Sequence, residues 1–145
     1  MSALPKSIEL EYVTIHYDQP IIHLVFKEGA ELGFPEMREL TSYAEKLSDN
    51  RPYMVLSDVR AKVSVTPEGK RIAADIKNAP LNRGSAVLVS NNMFKIAVNF
   101  FTDFKKPVFP YKAFTDKQKA ITWLLQLPLN TLSCLFLFVD LPLLS

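Results

Sequence analysis

The spacing of apolar and polar positions changes period several times along the chain, and each change marks an element. Residues 8–17, Ile-Glu-Leu-Glu-Tyr-Val-Thr-Ile-His-Tyr, alternate as a strand does. Asp18-Gln19-Pro20 interrupts them, and residues 21–27, Ile-Ile-His-Leu-Val-Phe-Lys, read as a second strand. So short a break predicts an antiparallel pair. After Gly33-Phe34-Pro35 the period lengthens. Met37, Leu40, Ala44 and Leu47 recur at steps of three and four, giving a helix one apolar face. Asp49-Asn50-Arg51-Pro52 ends that helix, because proline disfavours helical backbone in the residue before it. Residues 53–59 are almost continuously apolar, which suits a strand buried on both faces.

The alternation of strand and helix then continues. A second helix starts near Thr66, with Ile72, Ala73, Ile76 and Ala79 on one side, and Pro80, Asn82 and Gly84 make the next turn. Ser85 to Ser90 form another buried strand. Asn91-Asn92 cap a third helix whose stripe is Met93, Ile96, Ala97, Phe100, Phe101 and Phe104. Lys105-Lys106 suit its C-terminal dipole, and Pro107 stops it. Val108 to Phe114 make a fifth strand, in which Pro110 points to a sheet edge. Thr115-Asp116-Lys117-Gln118 fits a capping box closed by the Thr115 hydroxyl and Gln118. Ala120, Trp123, Leu124 and Leu127 follow on one helical face. The order β-β-α-β-α-β-α-β-α predicts an α/β fold with a mixed, mostly parallel sheet covered by helices.

Composition narrows the class without naming an activity. The 145 residues suit one domain, expected over residues 1–127, and 48% apolar with 22% charged is ordinary globular composition. A net charge of +2 is too small to argue for nucleic acid or an anionic membrane surface. Cys134 alone closes no internal disulfide, and Met1-Ser2-Ala3-Leu4-Pro5-Lys6 lacks the apolar core of a signal peptide, so a cytoplasmic setting is expected. Residues 128–145 form an apolar tail with Asp140 as its sole charge. Pro128, Asn130, Asp140 and Pro142 interrupt it, which argues against a membrane span. Packing on the domain, or a dimer contact with a second copy, is expected instead.

No strong catalytic motif stands in the chain. There is no glycine-rich phosphate loop and no nucleophile elbow, and four glycines leave little room for a backbone cradle. His16 and His23 sit on neighbouring predicted strands, but nothing in the spacing demands a third ligand, so no metal or other cofactor is expected. Cys134 reads as a small buried hydrophobe. Asp58, at the end of a buried strand, lacks a paired acid or histidine and is read as bonding backbone donors in the following loop. Basic residues Arg60, Lys62, Lys70, Arg71 and Lys77 gather around the second helix, as a solvated face or as a contact for a partner. Phe94, Phe101 and Phe104, with Met93 and Ile96 nearby, suit a pocket for an apolar ligand, although core packing explains the same aromatic surface.

Four short pieces in order carry a family resemblance. They are Ser64-Val65-Thr66-Pro67-Glu68, Ser85-Ala86-Val87-Leu88-Val89, Asn99-Phe100-Phe101, and Lys106-Pro107 with Phe114-Thr115-Asp116. With the strand ending Val55-Leu56-Ser57-Asp58-Val59, they resemble the STAS fold of bacterial anti-sigma-factor antagonists. The closer likeness is to an uncharacterised bacterial group described as SpoIIAA-like or STAS-like. The resemblance covers roughly residues 8–126. It implies a non-enzymatic regulatory or interaction domain that binds another protein, or itself as a homodimer. Lipid-transfer domains of related fold supply the alternative, a carrier of a small apolar ligand such as a fatty acid or lipid. In the antagonists a serine at the N-terminus of the helix after this strand is phosphorylated. Here the Asp-Ser pair is absent. Thr66, with Ser64 next, is the nearest hydroxyl, and Pro67 follows it. Threonine before a first-turn proline is a complete helix cap without any kinase. The resemblance therefore makes Arg60, Lys62, Ser64, Thr66 and Lys70 the expected partner-binding residues, with Thr66 and Ser64 as the candidate phosphorylation sites.

Overall fold

The structure, a computed structural model, describes residues 7–73, 79–91 and 110–129. In chain order the elements are β1 (Ser7–Glu9), β2 (Val13–Asp18), β3 (Ile21–Phe26), β4 (Glu31–Leu32), α1 (Phe34–Leu47), β5 (Tyr53–Asp58), β6 (Ser64–Val65), α2 (Pro67–Ala73), β7 (Asn82–Leu88), β8 (Tyr111–Phe114) and α3 (Lys117–Leu125). The helix expected after Asn91, with Phe94, Phe101 and Phe104, and the tail from residue 130 onward, with Cys134, lie outside the described residues. So does Lys77.

Six strands form the main sheet in the order β1-β2-β3-β5-β7-β8. The β1–β2 and β2–β3 pairs are antiparallel, while β3–β5, β5–β7 and β7–β8 are parallel. This is the mixed, mostly parallel sheet that the alternating elements predict. β8 is its edge strand on one side, as Pro110 implied, and Pro110 itself sits just before the strand with its carbonyl accepting from Ser85 N–H at 2.9 Å.

Side-chain alternation sorts the core onto two faces. Val13, Ile15, Ile22, Leu24, Phe26 and Tyr53 pack with Leu40, Ala44 and Leu47 of α1. Ile21, Met54, Leu56, Ala86 and Leu88 pack with Ala120 and Leu124 of α3 on the other. The stripe read from sequence in α1 is thus the buried one. Its start is braced by Glu36, whose Oε1 accepts from Gly33 N–H at 2.9 Å. Its end turns through Asp49 and Asn50, both at positive φ (56° and 58°), a conformation that short polar side chains tolerate.

Three boundaries differ from the sequence expectation. The first predicted strand is two strands, β1 and β2, joined by a turn in which Leu10 N–H donates to Val13 O at 2.8 Å. The alternation ran through that turn because Leu10 and Tyr12 still pack against the core. β7 begins at Asn82, where a turn was expected. Asn82 and Arg83 are buried because their polar groups are satisfied internally. Asn82 Nδ2 donates to Ser85 Oγ at 3.0 Å, and the Arg83 guanidinium donates to the carbonyls of Pro80 and Leu129. Finally, α3 is capped by Asp116, not Thr115. The Asp116 carboxylate accepts from Lys119 N–H at 3.1 Å, and an anion suits a helix N-terminus better than a hydroxyl.

Candidate functional site

The region between β5 and α2 was expected to be a loop, and it contains a strand. β6 pairs in parallel with β4, with Glu31 opposite Ser64 and Leu32 opposite Val65. Backbone bonds extend the pairing at both ends. Gly29 N–H donates to Lys62 O at 2.7 Å, Ser64 N–H to Ala30 O at 2.9 Å and Thr66 N–H to Leu32 O at 3.0 Å. The Glu28 side chain adds a bond from Lys62 N–H at 3.3 Å. Leu32 is 2% exposed, and Val63 and Val65 pack against the same core as α1. The signal was present in Val63-Ser64-Val65, a short apolar-polar-apolar run. Two residues of pairing were too few to register as an element by periodicity.

Each end of this clipped segment is closed by a side chain. At the β5 end Asp58 meets Arg60 in a two-pronged ion pair. Its Oδ1 accepts from Arg60 N–H at 3.1 Å and from Nε at 3.0 Å, and its Oδ2 from Nη2 at 2.8 Å. Burial pushes the Asp58 carboxyl pKa up, but the hydrogen bonds and charge of Arg60, helped by Lys117, outweigh it and hold the group below its ordinary value. The hydrogen bond and charge of Asp58 raise the Arg60 pKa in turn. Asp58 therefore bonds the loop, as its sequence context implied, and an ionised carboxylate held by a guanidinium orders Arg60. The Asp58 side chain is 15% exposed while that of Arg60 is 50% exposed, so the cation faces solvent from an anchored base.

At the other end Thr66 caps α2. Its Oγ1 accepts from Gly69 N–H at 3.0 Å, Pro67 is the first helical residue, and Lys70 N–H donates to Thr66 O at 2.9 Å. Loss of the cap should be measurable. Thr66→Ala is expected to lower folding stability by about 1 kcal/mol, read as a lower urea midpoint, while Thr66→Ser keeps most of it. An alanine variant as stable as the parent would take the cap out of the account.

The structure brings Arg60, Lys62, Ser64, Thr66 and Lys70 onto one continuous segment. Arg60, Lys62, Ser64 and Lys70 are exposed and Thr66 is half-buried. Arg71 is exposed as well. Beside the clip lies a concavity of about 390 Å³, lined by Glu11, Tyr12, Lys27, Glu28, Glu31 and Glu36. Its walls are acidic. Sequence reasoning missed this acidic rim, because its glutamates come from three separate segments.

His16 and His23 are direct cross-strand partners, with ring centroids 5.8 Å apart. Among the described residues no group of three or more His, Cys, Asp or Glu side chains stands together for a metal ion. No helix among them is long and apolar enough to cross a membrane.

Comparison with known proteins fits this geometry. No curated protein matches the chain. A solved crystal structure does, that of an uncharacterized protein of the DUF3478 family from Shewanella loihica PV-4, described as having a SpoIIAA-like fold. The two superpose with a TM-score of 0.53 at 18% identity, covering 86% of this chain and 98% of that one. The SpoIIAA-like fold implied by the sequence pieces is thus the fold of this protein. A family model described as a domain of unknown function, DUF7793, matches residues 15–128. That span takes in β2 through α3, and the chain belongs to the DUF7793 family.

Proposed function

We propose that the protein is a non-catalytic regulatory or interaction domain that binds another protein, or a second copy of itself, in a bacterial cytoplasm. The observation that carries this reading is the clipped segment from Arg60 to Thr66. Its backbone is tied to β4 and to Gly29 and Ala30 just before it, and Arg60 and Lys62 stand exposed along it, with Lys70 exposed on the helix that follows. A surface ordered before contact loses less conformational entropy on binding than a mobile loop would. Arg60 adds a further advantage. Asp58 engages its Nε and Nη2, which leaves other guanidinium donors facing outward to meet a carboxylate. The partner that fits is therefore an acidic protein surface.

The test reverses charge on the segment. In pull-downs from native lysate, Arg60→Glu and Lys62→Glu are each expected to reduce recovery of the partner at least tenfold, a change of about 1.4 kcal/mol in binding. Lys119→Glu, on α3, serves as the control and leaves recovery unchanged. Sedimentation of the same variants reports whether the partner is a second copy. Partner recovery unchanged in both Arg60→Glu and Lys62→Glu would rule this surface out.

A further inference from the structure

Where α3 packs on the sheet it covers β5, β7 and β8, and the same face over β1, β2 and β3 carries polar side chains. Alternation places Thr14, His16 and Asp18 of β2 on that face, with His23 and Val25 of β3. Val25 is 47% exposed, and His16 and Asp18 on the same face are exposed too. Ser7, His16 and His23 stand in one row across three adjacent strands, as direct register partners.

We propose that His16 and His23 form a two-histidine site for a borderline divalent transition ion, taken here as Cu²⁺ or Zn²⁺. The rings are 5.8 Å apart between centroids and tilted by 56°, so they are not stacked on one another. Two imidazoles sharing an ion through metal–nitrogen bonds of about 2.0–2.1 Å have centroids roughly 5–6 Å apart, so little movement is needed. The third member of the row supplies the orienting contact. Ser7 Oγ lies 3.0 Å from His16 Nδ1, which fixes that ring and leaves Nε2 as its free nitrogen. His16 is exposed and His23 half-buried, so an ion reaches the pair from solvent. Imidazole nitrogen suits copper and zinc, and copper binds such a pair the more tightly of the two. With only two protein ligands, water completes the coordination, and positions remain for a group from another molecule.

The proposal is tested on the untagged full chain in a Cys134→Ser background, which removes the only thiol. Calorimetric titration with Cu²⁺ and with Zn²⁺ is expected to show one ion per chain. His16→Gln and His23→Gln should each weaken it at least about tenfold. On the chain with both histidines present, Zn²⁺ should shift the imidazole ¹H–¹⁵N NMR signals of both rings together, a reading that needs no variant to fold. Affinity retained in both glutamine variants, or no shift of either imidazole signal on adding Zn²⁺, would overturn the site.

Discussion

Leu124→Ala is expected to cost about 2–5 kcal/mol of folding stability, the largest effect of any change considered for this chain. Leu124 is fully buried, and it lies in one cluster with Ile21, Met54, Leu56, Ala86 and Leu88. Those residues come from β3, β5 and β7, so Leu124, with Ala120, carries the buried face of α3 into the core of the sheet. Truncation removes the transfer free energy of the lost carbons and leaves a cavity that β-strands cannot collapse to fill. The effect is measured as a drop in urea midpoint at constant slope, or as a fall in Tm of roughly 7–16 °C for a chain of this size. A loss below about 1 kcal/mol would mean that α3 is not packed on this face.

Gly69→Ala has a sign that local and tertiary reasoning predict oppositely. Within a helix, alanine is favoured over glycine by about 1 kcal/mol, so propensity alone expects stabilisation. Gly69, however, lies where α2 touches the β4–β6 clip. An added Cβ would press into the Leu32 carbonyl oxygen and come within 3.1 Å of Val65 Cγ1. The oxygen belongs to backbone and already accepts from Thr66 N–H, so it cannot swing aside as a long side chain would. Overpacking of this kind costs about 1–3 kcal/mol, which outweighs the propensity gain. The variant is expected to be less stable than the parent, with faster amide exchange at Ser64 and Thr66 as the clip loosens. A more stable Gly69→Ala protein would show that the close approach is not there.

Much of this architecture was legible in the residues themselves. The apolar steps Leu40, Ala44 and Leu47 marked the buried face of α1, and the run from Tyr53 marked a central strand. Thr66-Pro67 marked the start of α2 to the residue. Such features are local, since helix period, capping and proline geometry act over one or two turns. The failures share a cause as well. Leu10 and Tyr12 kept the strand alternation going through a turn because both still reach the core. Asn82 and Gly84 read as turn residues because the bonds that tie this segment down, from Asn82 to Ser85 and from Arg83 to Pro80 and Leu129, were not visible as such in the sequence. Asp116 displaced Thr115 as a cap by a shift of one residue, finer than periodicity resolves.

By itself the sequence determined the α/β class, the mostly parallel sheet and the positions of the helices that the structure describes. These follow from side-chain period and backbone preference, which each segment carries with it. Tertiary structure alone decided the site. The β4–β6 pairing joins residues some thirty positions apart through two short strands, too brief to announce themselves. Only that pairing turns a basic loop into an ordered surface and gives Gly69 its tight contact. The facing of His16 and His23 is likewise a matter of strand register, set by burial of Val13, Ile15, Ile22 and Leu24 on the opposite side. A one-residue slip of either strand would send its histidine into the core, so the apolar face, not the histidines, placed them together.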